Sequence, residues 1–276
     1  VVTEPFGHRL ADDLDEAIRL APDMPDARAE RISAELEDSG IDAAIKLAGQ
    51  YRDEKPANPS SHVMLGDVYL RGQKFNDAVT AFEKAQQLRP NSSVFRRLYI
   101  AKVSAGKQDE AFKNLQDWVG KNQDDWETRL VFSTELIRRG DTEGAIAENE
   151  ALNEKLPGRP VILNNLGWLY SRKDDPRGLG LVRTAYELAP DAPEIQDTYG
   201  WLLVKDNKLK EGLAILSKSA EALPKSAEAQ YHLAAALALS GKKSEARDIL
   251  ARILEEKSEF DERQDAETLL ESLKAG

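Results

Sequence analysis

The sequence predicts an all-α fold: an α-solenoid of antiparallel helix pairs, each pair stacked on the one before it. Three observations predict it. Six prolines, Pro22, Pro56, Pro90, Pro157, Pro190 and Pro224, are separated by 34, 34, 67, 33 and 34 residues, so all share one phase once a missing member between Pro90 and Pro157 is counted. They follow helical runs such as 78–88 and 181–188, where a residue without an N–H ends a helix at little cost. Small and large residues recur in the same frame. With Pro90 set at position 32 of its unit, Gly66, Ala78 and Ala85 fall at 8, 20 and 27, and Tyr69 and Phe82 at 11 and 24. Small side chains there let two helices approach, and the large ones fill the space between successive pairs. The composition agrees, with 41% hydrophobic, 32% charged and only 7% aromatic residues.

The units follow in order. Residues 25–58 carry Ile32, Leu36, Ala44 and Pro56, and 59–91 form the template just described. Residues 92–125 keep Leu98, Gly106, Ala111 and Leu115, with Trp118 in place of a small residue. Residues 126–159 keep Ser133, Leu136, Gly140, Ala145 and Pro157. In 160–192 come Leu166, Gly167, Tyr170, Ala185 and Pro190, with one residue fewer in the turn at Asp174, Asp175 and Pro176. Residues 193–226 hold Gly200, Leu203, Leu216 and Pro224, and 227–260 hold Leu233, Ala234, Leu237, Gly241, Ala246 and Leu250. At the front, residues 1–24, with Leu10 to Leu20 before Pro22, read as the second helix of a pair whose first helix is absent. The start at Val1 reads as a cut, with any upstream region lost. At the back, Ala266, Leu269, Leu270 and Leu273 form one stripe in 261–273, as a cap helix covering a solenoid end requires. The expectation is about seven full repeats plus an N-terminal half repeat and a C-terminal cap helix, in a single solenoid spanning 1–276 without a Gly- or Ser-rich linker.

The 34-residue signature identifies the chain as a member of the tetratricopeptide repeat (TPR) superfamily. That resemblance implies a right-handed superhelix whose concave groove is lined by first-helix positions 2, 5, 6, 9, 12 and 13. It also implies a non-catalytic scaffold mediating protein–protein interaction. A narrower resemblance lies in the last third, in Asn164-Asn165-Leu166-Gly167-Trp168-Leu169-Tyr170, the turn Asp175-Pro176-Arg177, then Asp197-Thr198-Tyr199-Gly200-Trp201-Leu202-Leu203 and Tyr231-His232-Leu233-Ala234. These strings resemble the TPR-repeat lipoproteins of bacterial PEP-CTERM systems. That likeness implies a role in exopolysaccharide export or surface-protein sorting, at a periplasmic or outer-membrane location. Without it the location is cytoplasmic.

Composition excludes several classes of chemistry. A net charge of -11 argues against a nucleic-acid partner, whose phosphates call for clustered Lys and Arg. With no cysteine there is no thiolate metal site, disulfide or cysteine nucleophile. No stretch of 18 apolar residues predicts a membrane span. His8, His62 and His232 are scattered without metal-ligand spacing, and His62 and His232 are read as helix-face residues. Glu148, Glu150 and Glu154 read as a solvated helix face. Gly178 and Gly180 complete no phosphate-binding motif and read as packing residues. No catalytic residue, metal or cofactor is predicted.

The groove positions are the candidate binding residues. Position 9 holds Asp67, Ile100, Thr134, Trp168, Trp201 and Ala235; position 13 holds Arg71, Ser104, Arg138, Arg172, Lys205 and Leu239. Arg71, Arg138, Arg172 and Lys205 would form a basic stripe suited to carboxylates or phosphates. Alternatively, they are cations placed to oppose a helix dipole. Trp168 and Trp201 would stand side by side with Asn164, Asn165, Asp197, Tyr231 and His232, either facing a partner or packing between first helices. The expected partner is a protein or peptide, with polysaccharide as the alternative. Self-association through the uncapped N-terminal end is a further expectation. The family's carboxylate clamp needs Lys at position 5 and Asn at 6 and 9; only Asn165 matches, so that activity does not carry over.

Overall fold

Short local signals, repeated along the chain, set the helix boundaries. Pro25, Pro59, Pro160 and Pro193 each open a helix, where the missing N–H would have been unpaired anyway. Side chains cap other free backbone N–H groups. Asn58 accepts from Ser60 at 3.0 Å, Asn91 from Val94 at 3.0 Å, Asp141 from Gly144 at 2.9 Å and Ser226 from Ala229 at 3.3 Å. The computed structural model describes residues 6–21, 24–255 and 260–275; Pro22, the first proline of the ladder, lies outside them. Among the described residues there are sixteen α-helices and no strand.

From α4 onward the helix pairs turn by one device. Gln73, Gly106, Gly140, Asp174, Asn207 and Gly241 all have positive φ, between 55° and 87°, and recur every 33 or 34 residues. The N–H of the following residue then reaches back to the carbonyl five residues earlier, as from Lys74 to Tyr69 at 2.8 Å and from Lys208 to Leu203 at 2.9 Å. This left-handed residue closes the end of the first helix and reverses the chain within a few residues, so the second helix returns antiparallel.

The chain divides into two compact units, 1–132 and 133–276. The first holds α1 (Phe6–Leu20), α2 (Pro25–Ser39), α3 (Ile41–Glu54), α4 (Pro59–Arg71), α5 (Phe75–Leu88), α6 (Ser92–Ser104), α7 (Gln108–Lys121) and the start of α8 (Trp126–Arg138). Ile32, Ala44, Ala48, Tyr51, Leu65 and Val68 make one core cluster, and Ala78, Val79, Phe82, Leu98 and Ala101 another. Gly66 explains its place in the frame: a Cβ there would lie 2.6 Å from the buried ring of Phe82. Trp118, the departure from the small-residue pattern, stacks on Phe95 with ring centroids 4.3 Å apart. Its indole N–H donates to Asp125 at 2.8 Å, which satisfies the one polar group the larger side chain brings.

The second unit holds the rest of α8, then α9 (Thr142–Lys155), α10 (Pro160–Arg172), α11 (Arg177–Leu188), α12 (Pro193–Lys205), α13 (Leu209–Ala222), α14 (Ala227–Leu239), α15 (Lys243–Glu255) and α16 (Arg263–Ala275). α10 pairs with α11, α12 with α13 and α14 with α15, while α10, α12, α14 and α16 lie side by side as a layer of their own. Two pairs cross on glycine. A Cβ on Gly167 would lie 2.7 Å from the Gly178 carbonyl, and one on Gly212 would lie 2.6 Å from that of Gly200. Gly180 differs from Gly178, since a side chain there would meet nothing within 4 Å; it is not a packing residue. α16 lays Ala266, Leu269, Leu270 and Leu273 against Tyr231, Leu250 and Ile253.

Candidate functional site

Residues spaced by four along a helix share one face, and three successive first helices present such a set on adjoining surfaces. α10 contributes Asn164, Asn165, Trp168 and Arg172; α12 contributes Asp197, Trp201 and Lys205; α14 contributes Tyr231 and His232. Two cavities open along this face and share Trp168. One, of about 410 Å³, is bounded by Arg138, Asn164, Asn165, Asp197, Glu228 and His232 among others. The other, of about 330 Å³, is bounded by Arg172, Trp201, Lys205, Tyr231 and Asp261. A larger cavity, of about 530 Å³, lies at Glu150, Glu154, Tyr170 and Arg177 and touches none of these residues. There Tyr170 donates to Glu150 and Arg177 lies 4.0 Å over the Tyr170 ring.

His232 lies at the centre of this face, between Trp201 and Asp197. It is 5% exposed, and its ring stacks on Trp201 at 4.6 Å with an interplanar angle of 18°. Nδ1 donates to the carboxylate of Asp197 at 2.9 Å, and Nε2 lies 3.8 Å from Glu262 Oε1, an ion-pair rather than a hydrogen-bond distance. Burial, the largest single influence, pulls its pKa down, but the carboxylates of Asp197 and Glu262 together outweigh that and hold it at about 9. The imidazole is therefore a cation at neutral pH, with both nitrogens turned to carboxylates. The same contact keeps Glu262 below the usual carboxylate range. Tyr231, edge-on to Trp201 at 6.1 Å, is pushed up to about 12 by burial and by Asp265 and Glu262.

Three of the position-13 cations, Arg138, Arg172 and Lys205, each stand beside a carboxylate or an aromatic ring. Arg71 lies in the first unit, on α4. Arg138 pairs with Glu135 through Nε at 2.8 Å and through Nη2 at 2.5 Å. Arg172 places its guanidinium 4.7 Å over the Trp168 ring and donates to Asp261 at 3.2 Å. The Lys205 ammonium stands 5.3 Å over the Trp201 ring. Each of these three contacts supplies a nearby electron-rich group, and Arg172 and Lys205 line the same cavity.

Carboxylates are what the sequence reading missed. Glu194 and Glu228 occupy position 2 of successive units, so the groove positions carried the signal. Asp261 and Glu262 come from the connector ahead of α16, outside any repeated position, and nothing periodic announces them. Glu228 is held above the ordinary carboxylate range by lost hydration and by the neighbouring Glu262 and Asp261. Among the described residues no group of His, Asp and Glu is arranged to hold a metal ion, and no helix is long and apolar enough to cross a membrane.

Two segments, residues 30–93 and 203–273, each match a tetratricopeptide repeat family model. The chain carries tetratricopeptide repeats. This TPR chain is 23% identical over 164 residues to a TPR repeat-containing protein of Pseudomonas aeruginosa, covering 57% of this chain and 28% of that one. It is 24% identical over 191 residues to the peroxisomal targeting signal receptor of Komagataella phaffii, covering 64% and 32%. The TPR chain thus spans less than a third of the length of either relative. Among solved structures it is similar in fold to the APC/C hetero-tetramer Cut9–Hcn1, with a TM-score of 0.70, 16% identity and coverage of 97% of this chain and 52% of that one. It is also similar to a tetratricopeptide repeat protein from Parabacteroides merdae, with a TM-score of 0.65, 12% identity and coverage of 91% and 98%.

Proposed function

We propose that this chain is a non-catalytic scaffold that holds a protein or peptide partner in the groove formed by α10, α12 and α14. The observation that carries the reading is the convergence of Trp168, Trp201 and Tyr231, from three consecutive first helices, on two adjoining cavities of about 410 and 330 Å³. Aromatic side chains set in a rigid, partly dry surface are the usual anchors of a protein interface. Kinship with a receptor that is named for a targeting signal supports a polypeptide ligand.

A polysaccharide would need open ring faces to stack on. Trp201 already stacks on His232 and lies beneath Lys205, so the peptide reading is favoured. Placement in exopolysaccharide export or surface-protein sorting, with a periplasmic or outer-membrane location, rests on the residue strings of 164–234 and belongs to this proposal. A crosslinking pull-down from the native organism with the wild-type and Trp201→Ala chains tests the site. Partners captured by the wild type should be lost from the variant, with a matched glycan array blank. Equal recovery by both chains would place the site elsewhere.

A further inference from the structure

The 410 Å³ cavity is lined by five carboxylates, those of Glu194, Asp197, Glu228, Asp261 and Glu262. Most are answered from within the chain. Asp197 and Glu262 flank the His232 cation, and Asp261 takes Arg172. Arg138, the other cation on the lining, is engaged by Glu135. Glu194 and Glu228 make no ion pair among the described residues, which leaves the wall with negative charge in excess. The pKa of Glu228 is raised first by lost hydration and then by the neighbouring carboxylates of Glu262 and Asp261.

A second, independent observation points to a hydrogen-bond donor. Asn164 is only 8% exposed and lines the same cavity, and its side-chain carbonyl oxygen accepts no hydrogen bond from the described residues. A buried acceptor left unmet is costly, and folded chains seldom keep one without a use for it. Beside it stands Trp168, half-buried, whose flat apolar surface suits an aliphatic stem.

We infer that this cavity seats a basic side chain, a lysine or arginine of the partner polypeptide. Its stem lies along Trp168, and its charged head is shared by the carboxylates of Glu194 and Glu228 and the carbonyl oxygen of Asn164. The inference deepens the peptide-groove reading and depends on it. An acidic partner would meet the unpaired carboxylates here and find the nearby cations already occupied.

Selection of random 12-residue peptides displayed on phage against the intact chain provides the probes. A selected, fluorescein-labelled peptide is then followed by fluorescence anisotropy. Selected peptides should share a Lys or Arg, and replacing it with norleucine should weaken binding by about tenfold or more. The Glu194→Gln/Glu228→Gln chain should lose a similar factor for the basic peptide and none for the norleucine version. The norleucine comparison on the wild-type chain needs no variant, so it stands even if the double substitution disturbs folding. If selection yields no peptide, the peptide-groove reading falls and takes this inference with it. If peptides bind but are neutral or acidic, or are indifferent to norleucine, this inference alone is overturned.

Discussion

The Nδ1 of His232 donates to the carboxylate of Asp197 at 2.9 Å, joining the first helix of one repeat to that of the next across 35 residues of sequence. Asp197 is position 5 of its unit and His232 position 6 of the following one, so the pair is a cross-link between neighbours in the stack. Stacked arrays draw much of their stability from such neighbour terms.

This pair makes stability depend on pH in a definite direction. The folded state holds the His232 proton at a pKa of about 9 against an ordinary value of 6.5, so it binds that proton more tightly than the unfolded chain does. The contribution is fully present below about pH 6.5 and is lost as pH rises to about 9, an amount on the order of 3 kcal/mol. Urea unfolding followed by circular dichroism at pH 6 and pH 9.5 should show the wild type weakened at the higher pH. Asp197→Asn should flatten the dependence; an unchanged slope would show that the pair is not coupled to folding.

Gly167 and Gly180 should respond to alanine with opposite signs. At Gly167 a Cβ would lie 2.5 Å from Val182 and 2.7 Å from the Gly178 carbonyl, and backbone cannot step aside as a side chain can. The expected cost is about 1–3 kcal/mol. At Gly180, inside α11 and open to space, Gly180→Ala should stabilise by up to about 1 kcal/mol through helix propensity. Thermal unfolding of the two single variants reads both signs.

The repeated left-handed turn gives a third comparison. Gln73 sits at φ 56° in the place that Gly106 takes at φ 77°. Gln73→Gly should stabilise by roughly 0.5–1 kcal/mol, and Gly106→Ala should destabilise by about 1 kcal/mol, since only glycine occupies this region without a steric penalty. Equal melting temperatures for Gln73→Gly and wild type would show that the Gln73 turn is already relaxed.

Much of the helix-pair architecture was legible because its causes are local. A proline after a helix, a glycine where two helices cross and an Asn, Asp or Gly in each turn act within a few residues, and they recur with the period of the structure. The aromatic members of the groove were legible for the same reason, since Trp168 and Trp201 hold the same position in adjacent units. Gln73 shows the limit of such reading: its left-handed turn is imposed by the phase of its neighbours, not by its own preference.

The sequence by itself determined the repeated helix pair, the frame in which small and large residues alternate, and the recurrence of Trp168 and Trp201 at one position of adjacent units. Only the tertiary structure decided the charge of that face. Arg138, Arg172 and Lys205 are each drawn to a carboxylate or ring close by, while Glu194, Glu228, Asp261 and Glu262 converge from two helices and a connector. Electrostatic character is a sum over neighbours in space, and a position in a repeat specifies only a place on its own helix.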